Sequence, residues 1–201
     1  IRKKVIFELL EKSSPRYLIL EKVAFQSLND FEEVIGLLNR REIRAWVNCP
    51  NRAFKSYRAL KSELDHNGTL HMEVSGGNWG LASNAIHYLD LFSFLTNSTD
   101  LEVCQSFIDR EIYNSKRSGF VELGGTLQIK SRNEDLLTLR DVKSSKRPVY
   151  VIVSTENQHF VISESLGEVE ITSTENSWIR EKRLFELTKQ STLTTDIVMD
   201  I

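Results

Sequence analysis

What this sequence lacks narrows its class before any motif is read. No apolar run approaches the roughly 20 residues that cross a bilayer, and no secretory leader pattern opens the chain. The only cysteines, Cys49 and Cys104, have no metal-ligand spacing and read as reduced thiols of a cytoplasmic protein. Neither charge sign is in marked excess, since the formal net charge is −2. Lys and Arg are scattered, and their nearest approach to a cluster, residues 143–147, is serine-interrupted and reads as a loop. Without a concentrated basic face, nucleic acid is not an expected partner; a membrane is not one either. No repeat or low-complexity segment is present.

What is present is a globular composition, 40% apolar and 27% charged over 201 residues, enough for one large domain or one and a half small ones. The first 50 residues alternate. Val5, Ile6, Leu9 and Leu10 fall at helical spacing, and Ser13-Ser14-Pro15 ends that helix. Residues 16–21 form a short apolar run, expected to be a strand buried on both faces. Ser27, Asn29 or Asp30 can cap a second helix with a core face of Phe31, Val34, Ile35, Leu37 and Leu38. Residues 43–47 read as another strand. Helix, strand, helix, strand with short links predicts a parallel α/β unit.

From residue 51 the pattern changes. A helix is predicted over 53–64, a strand over 69–74, a glycine-rich loop at 75–80 and a helix over 82–95. Six strand candidates follow, at 101–107, 119–129, 136–140, 149–153, 159–163 and 168–172, with short polar links that favour antiparallel pairing. The expected fold class is α/β plus α+β: the last part of a Rossmann-type parallel sheet (1–50), then a domain (51–201) whose open, largely antiparallel sheet carries helices on one face.

Three features carry chemistry. Glu21-Lys22 closes a parallel strand, and open parallel sheets bind ligands outside the carboxyl ends of their strands; a solvated strand end is the plain alternative. Gly76-Gly77-Asn78-Trp79-Gly80 leads into a helix whose first amides can meet a ligand, or it is an ordinary tight loop. His87 and Asp90 share a helix face. The imidazole can carry a proton near neutrality, with the carboxylate orienting its ring, or the two form a structural pair. No third ligand has metal-site spacing, so no metal is expected.

Taken in order, these residues resemble the Gfo/Idh/MocA oxidoreductases, the glucose–fructose oxidoreductase and inositol dehydrogenase type. Glu21-Lys22-Val23 matches the family's Glu-Lys-Pro, and Asn51-Arg52 with Tyr57 and Leu60-Lys61 matches the start of its linking helix. The stretch from Ser83-Asn84-Ala85 to His87 and Asp90 falls in register with Asp-x-Gly-x-His-x-x-Asp, and residues 189–196 resemble its late helix. The resemblance covers essentially the whole chain and implies hydride transfer between NAD or NADP and a hydroxyl-bearing carbon of a sugar, cyclitol or nucleotide sugar. It implies Lys22 and His87 as catalytic residues, with Glu21, Lys22, Asn51 and Arg52 near the cofactor. Asn78, Trp79, Ser83, Asn84 and Asp90 would stand near the substrate, with Tyr113 among the nearby loops. It also implies a homo-oligomer through the open sheet, by strands between residues 119 and 172.

Three departures stand against that pattern. Val23 replaces a proline whose peptide is often cis, and because a non-proline cis bond costs about 2.5–4 kcal/mol, the bond is expected to be trans. Ser83 replaces an acidic residue, and Ala85 a glycine. The Gly-x-Gly-x-x-Gly fingerprint is missing. The chain therefore reads as the C-terminal two-thirds of such an enzyme, cut at both ends and inactive alone, or as a non-catalytic ligand-binding or regulatory member of the same fold.

Overall fold

The computed structural model describes residues 2–115, 118–187 and 193. The chain divides into two compact units, Ile1–Cys49 and Pro50–Ile201.

The first unit runs α1 (Arg2–Lys12), β1 (Tyr17–Glu21), α2 (Leu28–Arg40) and β2 (Arg44–Asn48). β1 and β2 pair in parallel, with Glu21 opposite Asn48 at their carboxyl ends. The cap of α2 is Ser27, whose Oγ accepts from the Asp30 amide at 3.1 Å. Ile6 and Leu10 of α1, Val34 and Leu38 of α2, and Ile43 form a small core. The expectation of a doubly buried first strand is corrected: β1 alternates exposed and half-buried residues, with Tyr17 and Ile19 exposed. In this unit Leu18 and Leu20 of β1 pack half-buried against the core that α1 and α2 form. The core face of α2 is correspondingly narrower than predicted, with Phe31 and Ile35 exposed.

The second unit opens with a 3-10 turn, Pro50–Ala53, and α3 (Lys55–Glu63), so the single predicted helix is broken at Phe54. β3 (His71–Gly76), α4 (Leu81–Thr96) and β4 (Leu101–Ile108) follow. A small hairpin pairs β5 (Tyr113–Asn114) with β6 (Val121–Glu122). Then come β7 (Gly125–Ser131), β8 (Leu136–Asp141), β9 (Tyr150–Ser154), β10 (Gln158–Ser163), β11 (Glu168–Ser173) and β12 (Glu181–Leu184). Eight of these strands form one sheet, in the order β12-β11-β10-β9-β3-β8-β7-β4. Every pairing is antiparallel except β3 with β8, a parallel pair at its middle. The strand predicted over 119–129 splits because Gly125 turns the chain at φ +109°, where a Cβ would sit 2.3 Å from the Phe107 carbonyl oxygen. β6 thereby leaves the main sheet to pair with β5.

One face of the sheet is the core. Met72, Val74, Leu137, Leu139, Val151, Val153, Phe160 and Ile162 pack against Tyr57 and Leu60 of α3 and Tyr88, Leu91, Phe92 and Leu95 of α4. The alternation of buried and half-buried positions along β8, β9 and β11 follows directly from the strand period of two. Both cysteines are free, and no helix among the described residues is long and apolar enough to cross a membrane. Of the tail matched to a late helix, only Leu193, fully buried, lies within the described residues.

Candidate functional site

In the first unit, Glu21 ends β1 and receives the side-chain amide of Asn48 at 2.8 Å. The Oδ1 of Asn48 is buried, with no hydrogen-bond donor among the described residues. The half-buried Lys22 follows, and the Lys22–Val23 peptide is cis, which corrects the trans expectation. The intrinsic cost of a non-proline cis bond is a local preference and does not by itself fix the isomer in the folded chain. The Arg2 guanidinium donates to the carbonyl of Val23 and, at 2.8 Å, to that of Ala24, itself buried. Lys22 thus leaves the carboxyl end of a parallel pair, where such sheets present ligands.

In the second unit the remaining predicted residues gather around α4. Ser83, His87 and Asp90 fall on one stripe of that helix, the stripe away from Leu81, Tyr88, Leu91 and Leu95 in the core. His87 is half-buried, with its Nδ1 enclosed. Asp90 receives a two-pronged ion pair from Arg52, Nε to Oδ2 and Nη2 to Oδ1, both 2.7 Å. Arg52 also donates to the Asp90 carbonyl at 3.2 Å, joining the 3-10 turn to α4. Burial pushes the Asp90 carboxyl upward while Arg52 pulls it down; burial is the larger effect. Asn51 stands beside Arg52 in that turn.

The helix entrance differs from its sequence-based expectation. Gly80 takes a left-handed conformation (φ 86°), and a Cβ there would lie 2.9 Å from Ser83 Oγ. The amides that follow do not wait for a ligand. Asp141, at the end of β8, accepts from the backbone N–H groups of Trp79 (3.2 Å), Gly80 (2.9 Å) and Leu81 (3.2 Å). Glu122, on β6, accepts from Ala82 at 3.1 Å. Two buried carboxylates therefore occupy the positive end of α4, the role that Ser or Thr usually fills from within the chain. Ser83 donates to the Gly80 carbonyl at 3.4 Å and Asn84 to that of Trp79 at 2.6 Å, so both hold the loop itself. The Trp79 indole N–H donates to the Arg140 carbonyl at 2.9 Å, and its ring meets Tyr88 edge to face at 5.4 Å.

Sequence reasoning did not anticipate two further pairings. Lys143, read as part of a loop, has a side chain only 7% exposed; its ammonium lies 3.2 Å from Asp141 and donates to Asn78 Oδ1 at 3.4 Å. Tyr57, wholly buried on α3, donates to Glu164, just past β10, at 2.5 Å. Burial pushes the Glu164 carboxyl upward, against the pull of the Tyr57 hydroxyl. An Asp-x-Lys at a strand end is a faint local signal for the first group. No local signal exists for the second, whose partners lie 107 residues apart.

No family model and no curated protein matches the sequence. Solved structures do match its fold. A dehydrogenase (MviM) from Clostridium difficile aligns with a TM-score of 0.70 at 14% identity, covering 99% of this chain and 65% of that one. A super-repressor mutant of Gal80p from Saccharomyces cerevisiae aligns with a TM-score of 0.71 at 12% identity, covering 99% and 62%. The UDP-N-acetylglucosamine 3-dehydrogenase GnnA from Acidithiobacillus ferrooxidans gives 0.67 at 12%, covering 98% and 64%. The chain thus spans just under two-thirds of the length of each. The fold of this chain is that of the Gfo/Idh/MocA-type oxidoreductases.

Proposed function

We propose that the chain forms the greater part of an NAD(P)-dependent oxidoreductase moving a hydride between nicotinamide and a hydroxyl-bearing carbon of a sugar, cyclitol or nucleotide sugar. The observation that carries this reading is Glu21-Lys22 at the carboxyl ends of a parallel strand pair, within a chain of this fold. Residues 1–50 are then part of a dinucleotide-binding domain, and 51–201 form the substrate and assembly domain. The bound nicotinamide would supply the hydride acceptor or donor. The donor set of this chain suits only that end of the cofactor, through Glu21 and Lys22, with Asn51 and Arg52 at the start of the second unit. A pyrophosphate needs a glycine-rich strand-to-helix turn, which these residues do not contain. Lys22 would polarise the reacting oxygen and His87 would take or return its proton. The setting is cytoplasmic, and the protein is a homo-oligomer through the sheet face opposite α3 and α4, so a monodisperse monomer in light scattering would exclude that assembly.

A second reading is a non-catalytic, regulatory member. It is favoured by the Ser83 hydroxyl being spent on the Gly80 carbonyl, at a position where the resemblance leads one to expect an acid. Gal80p, a repressor by the name of its mutant, shares the fold. Turnover decides between them. The full-length protein is assayed with NAD and NADP over a sugar and cyclitol panel, beside Lys22→Ala and His87→Gln. The enzyme reading requires turnover that both substitutions lower by about a hundredfold or more, the scale of acid–base catalysis. Tight cofactor binding without turnover establishes the regulatory reading, and turnover unchanged in both variants removes the assigned roles.

A further inference from the structure

The first unit holds a cleft of about 580 Å³, within the range of small-molecule sites, lined by residues 14–17 and 41–44. It lies at the amino ends of β1 and β2, where Arg44 stands opposite Tyr17 in register and the Arg44 amide donates to the Arg16 carbonyl at 3.1 Å. Lys22 follows the carboxyl end of β1, so the cleft and the nicotinamide edge assigned above are at opposite strand ends. The sequence sets Arg16 far from Arg41 and Arg44; the parallel pairing brings the three into one wall. They face a single carboxylate in the lining, Glu42. Among the described residues, none of the three is paired with a carboxylate. Arg41 donates one N–H to the Leu10 carbonyl, which fixes its guanidinium at the end of α1. A guanidinium has five donors, so most of its capacity stays open. Arg44 lies over the Tyr17 ring, 6.0 Å from its centre, and Trp46 meets the same ring at 5.9 Å.

The negative helix ends at this cleft explain only part of the cluster. Arg41 serves the last carbonyls of α1, but Arg16 and Arg44 belong to neither helix. Like charges gathered in a concavity raise the local concentration of a counterion. A phosphate group suits three guanidiniums better than a carboxylate does. It carries close to two negative charges near neutrality and offers three acceptor oxygens, and guanidinium forks match its geometry. We propose that this cleft binds a phosphate group, free or carried on a small organic molecule, whose remaining bulk would lie against Tyr17. The site goes beyond the oxidoreductase reading, which uses the other end of the same strands. Nucleic acid is not the occupant, because the positive charge is confined to one pocket and is not spread along a face.

The test is binding, which needs neither hydride transfer nor Lys22. The full-length protein is titrated by calorimetry at low ionic strength, in a phosphate-free buffer, with inorganic phosphate, phenyl phosphate and succinate. Both phosphates should bind saturably and more tightly than succinate, and the tighter of the two identifies the source, free phosphate or an organic ester. Arg16→Gln and Arg44→Gln should each weaken phosphate binding by about fivefold or more, less than a fully buried charged hydrogen bond would give because salt screens exposed groups. Glu42→Gln, which removes the opposing charge, should tighten it. All three positions are exposed, so melting curves without phosphate should be unchanged. Arg132→Gln removes an exposed cation of the second unit and should leave phosphate binding as it was, which controls for net charge. No saturable phosphate binding, tighter binding of succinate, or weakening no greater in Arg16→Gln and Arg44→Gln than in Arg132→Gln would overturn the proposal. Turnover enters none of these readouts, so failure here leaves the Lys22 and His87 assignments standing, and failure of those assignments leaves the phosphate site standing.

Discussion

The carboxylate of Asp141 should be among the costliest side chains to remove from the second unit. It is 1% exposed and accepts from three successive amides at the entrance of α4 while facing a lysine whose side chain is itself 7% exposed. Asp141→Ala strips an acceptor from the buried amides of Gly80 and Leu81, each worth about 1–3 kcal/mol when left unsatisfied. It also orphans Lys143, and breaking a buried pair costs about 3–5 kcal/mol. One carboxylate serves all these partners, so the costs overlap rather than add, and about 4 kcal/mol is the expected loss. With a urea slope of about 2 kcal/mol per M, the unfolding midpoint of the chain should fall by roughly 2 M. The double variant Asp141→Ala, Lys143→Met should recover about 1–2 kcal/mol, because the buried charge is then gone while the amides stay unsatisfied. A midpoint shift below about 0.5 M for the single variant, or a double variant no better than the single, would refute this account of the helix entrance.

Two further outcomes follow from the same physics. The folded chain holds the Glu164 proton above the ordinary glutamate range, while the unfolded chain sheds it near pH 4.3. The folded state therefore binds more protons in that window, and stability is full below the unfolded value and declines as pH rises through the folded one. Glu164→Gln should flatten that decline in urea midpoints taken from pH 4 to 8, whereas Tyr57→Phe should cost about 1–3 kcal/mol and extend the decline to higher pH by removing the donor that favours the carboxylate; parallel pH profiles for wild type and Glu164→Gln would contradict the assignment. Gly125→Ala should cost about 2 kcal/mol or more in the same assay, since φ is +109° and the new Cβ meets the Phe107 oxygen at 2.3 Å, while Gly119→Ala, at φ +80° with nothing within 4 Å among the described residues, should cost only the backbone part, about 1 kcal/mol; equal costs would show that the close approach is absent.

The elements that were legible in the sequence are those whose signal is local. Ser27 caps α2 because its hydroxyl reaches an amide three residues on, a relation visible in any window of that length. The strands from β7 to β11 show because a sheet covered on one face forces alternation. Where the local signal saturates, it misleads. Between Ile86 and Leu95, α4 is apolar almost all round, so its period does not single out Tyr88, Leu91 and Phe92 as the buried face over Ile86, Leu89 and Phe94, which stay half-buried. The isomer of the Lys22–Val23 peptide shows the same limit, since the intrinsic preference for trans is local and does not by itself fix the isomer in the folded chain.

The site residues divide along the same line. Ser83, His87 and Asp90 were legible as one helix stripe, because helical spacing is periodic and needs no tertiary contact. The partners that define their chemistry were not. Arg52 reaches Asp90 across 38 residues, Asp141 reaches the α4 amides across about 60, and Glu164 meets Tyr57 across 107. Asp90, Asp141 and Glu164 are carboxylates drawn wholly or partly out of water, each compensated by a partner that the fold delivers. A sequence shows the cost of burying such a group and not its compensation, so it defaults to placing it in solvent, as with Lys143. The parallel β3–β8 pair at the centre of an otherwise antiparallel sheet is what delivers the compensation here. It sets Asp141 beside Gly76 in register, at the strand end from which the chain turns into α4. The carboxylate that closes the helix entrance and anchors Lys143 is thus a consequence of strand order, and strand order is a property that no short window of residues records.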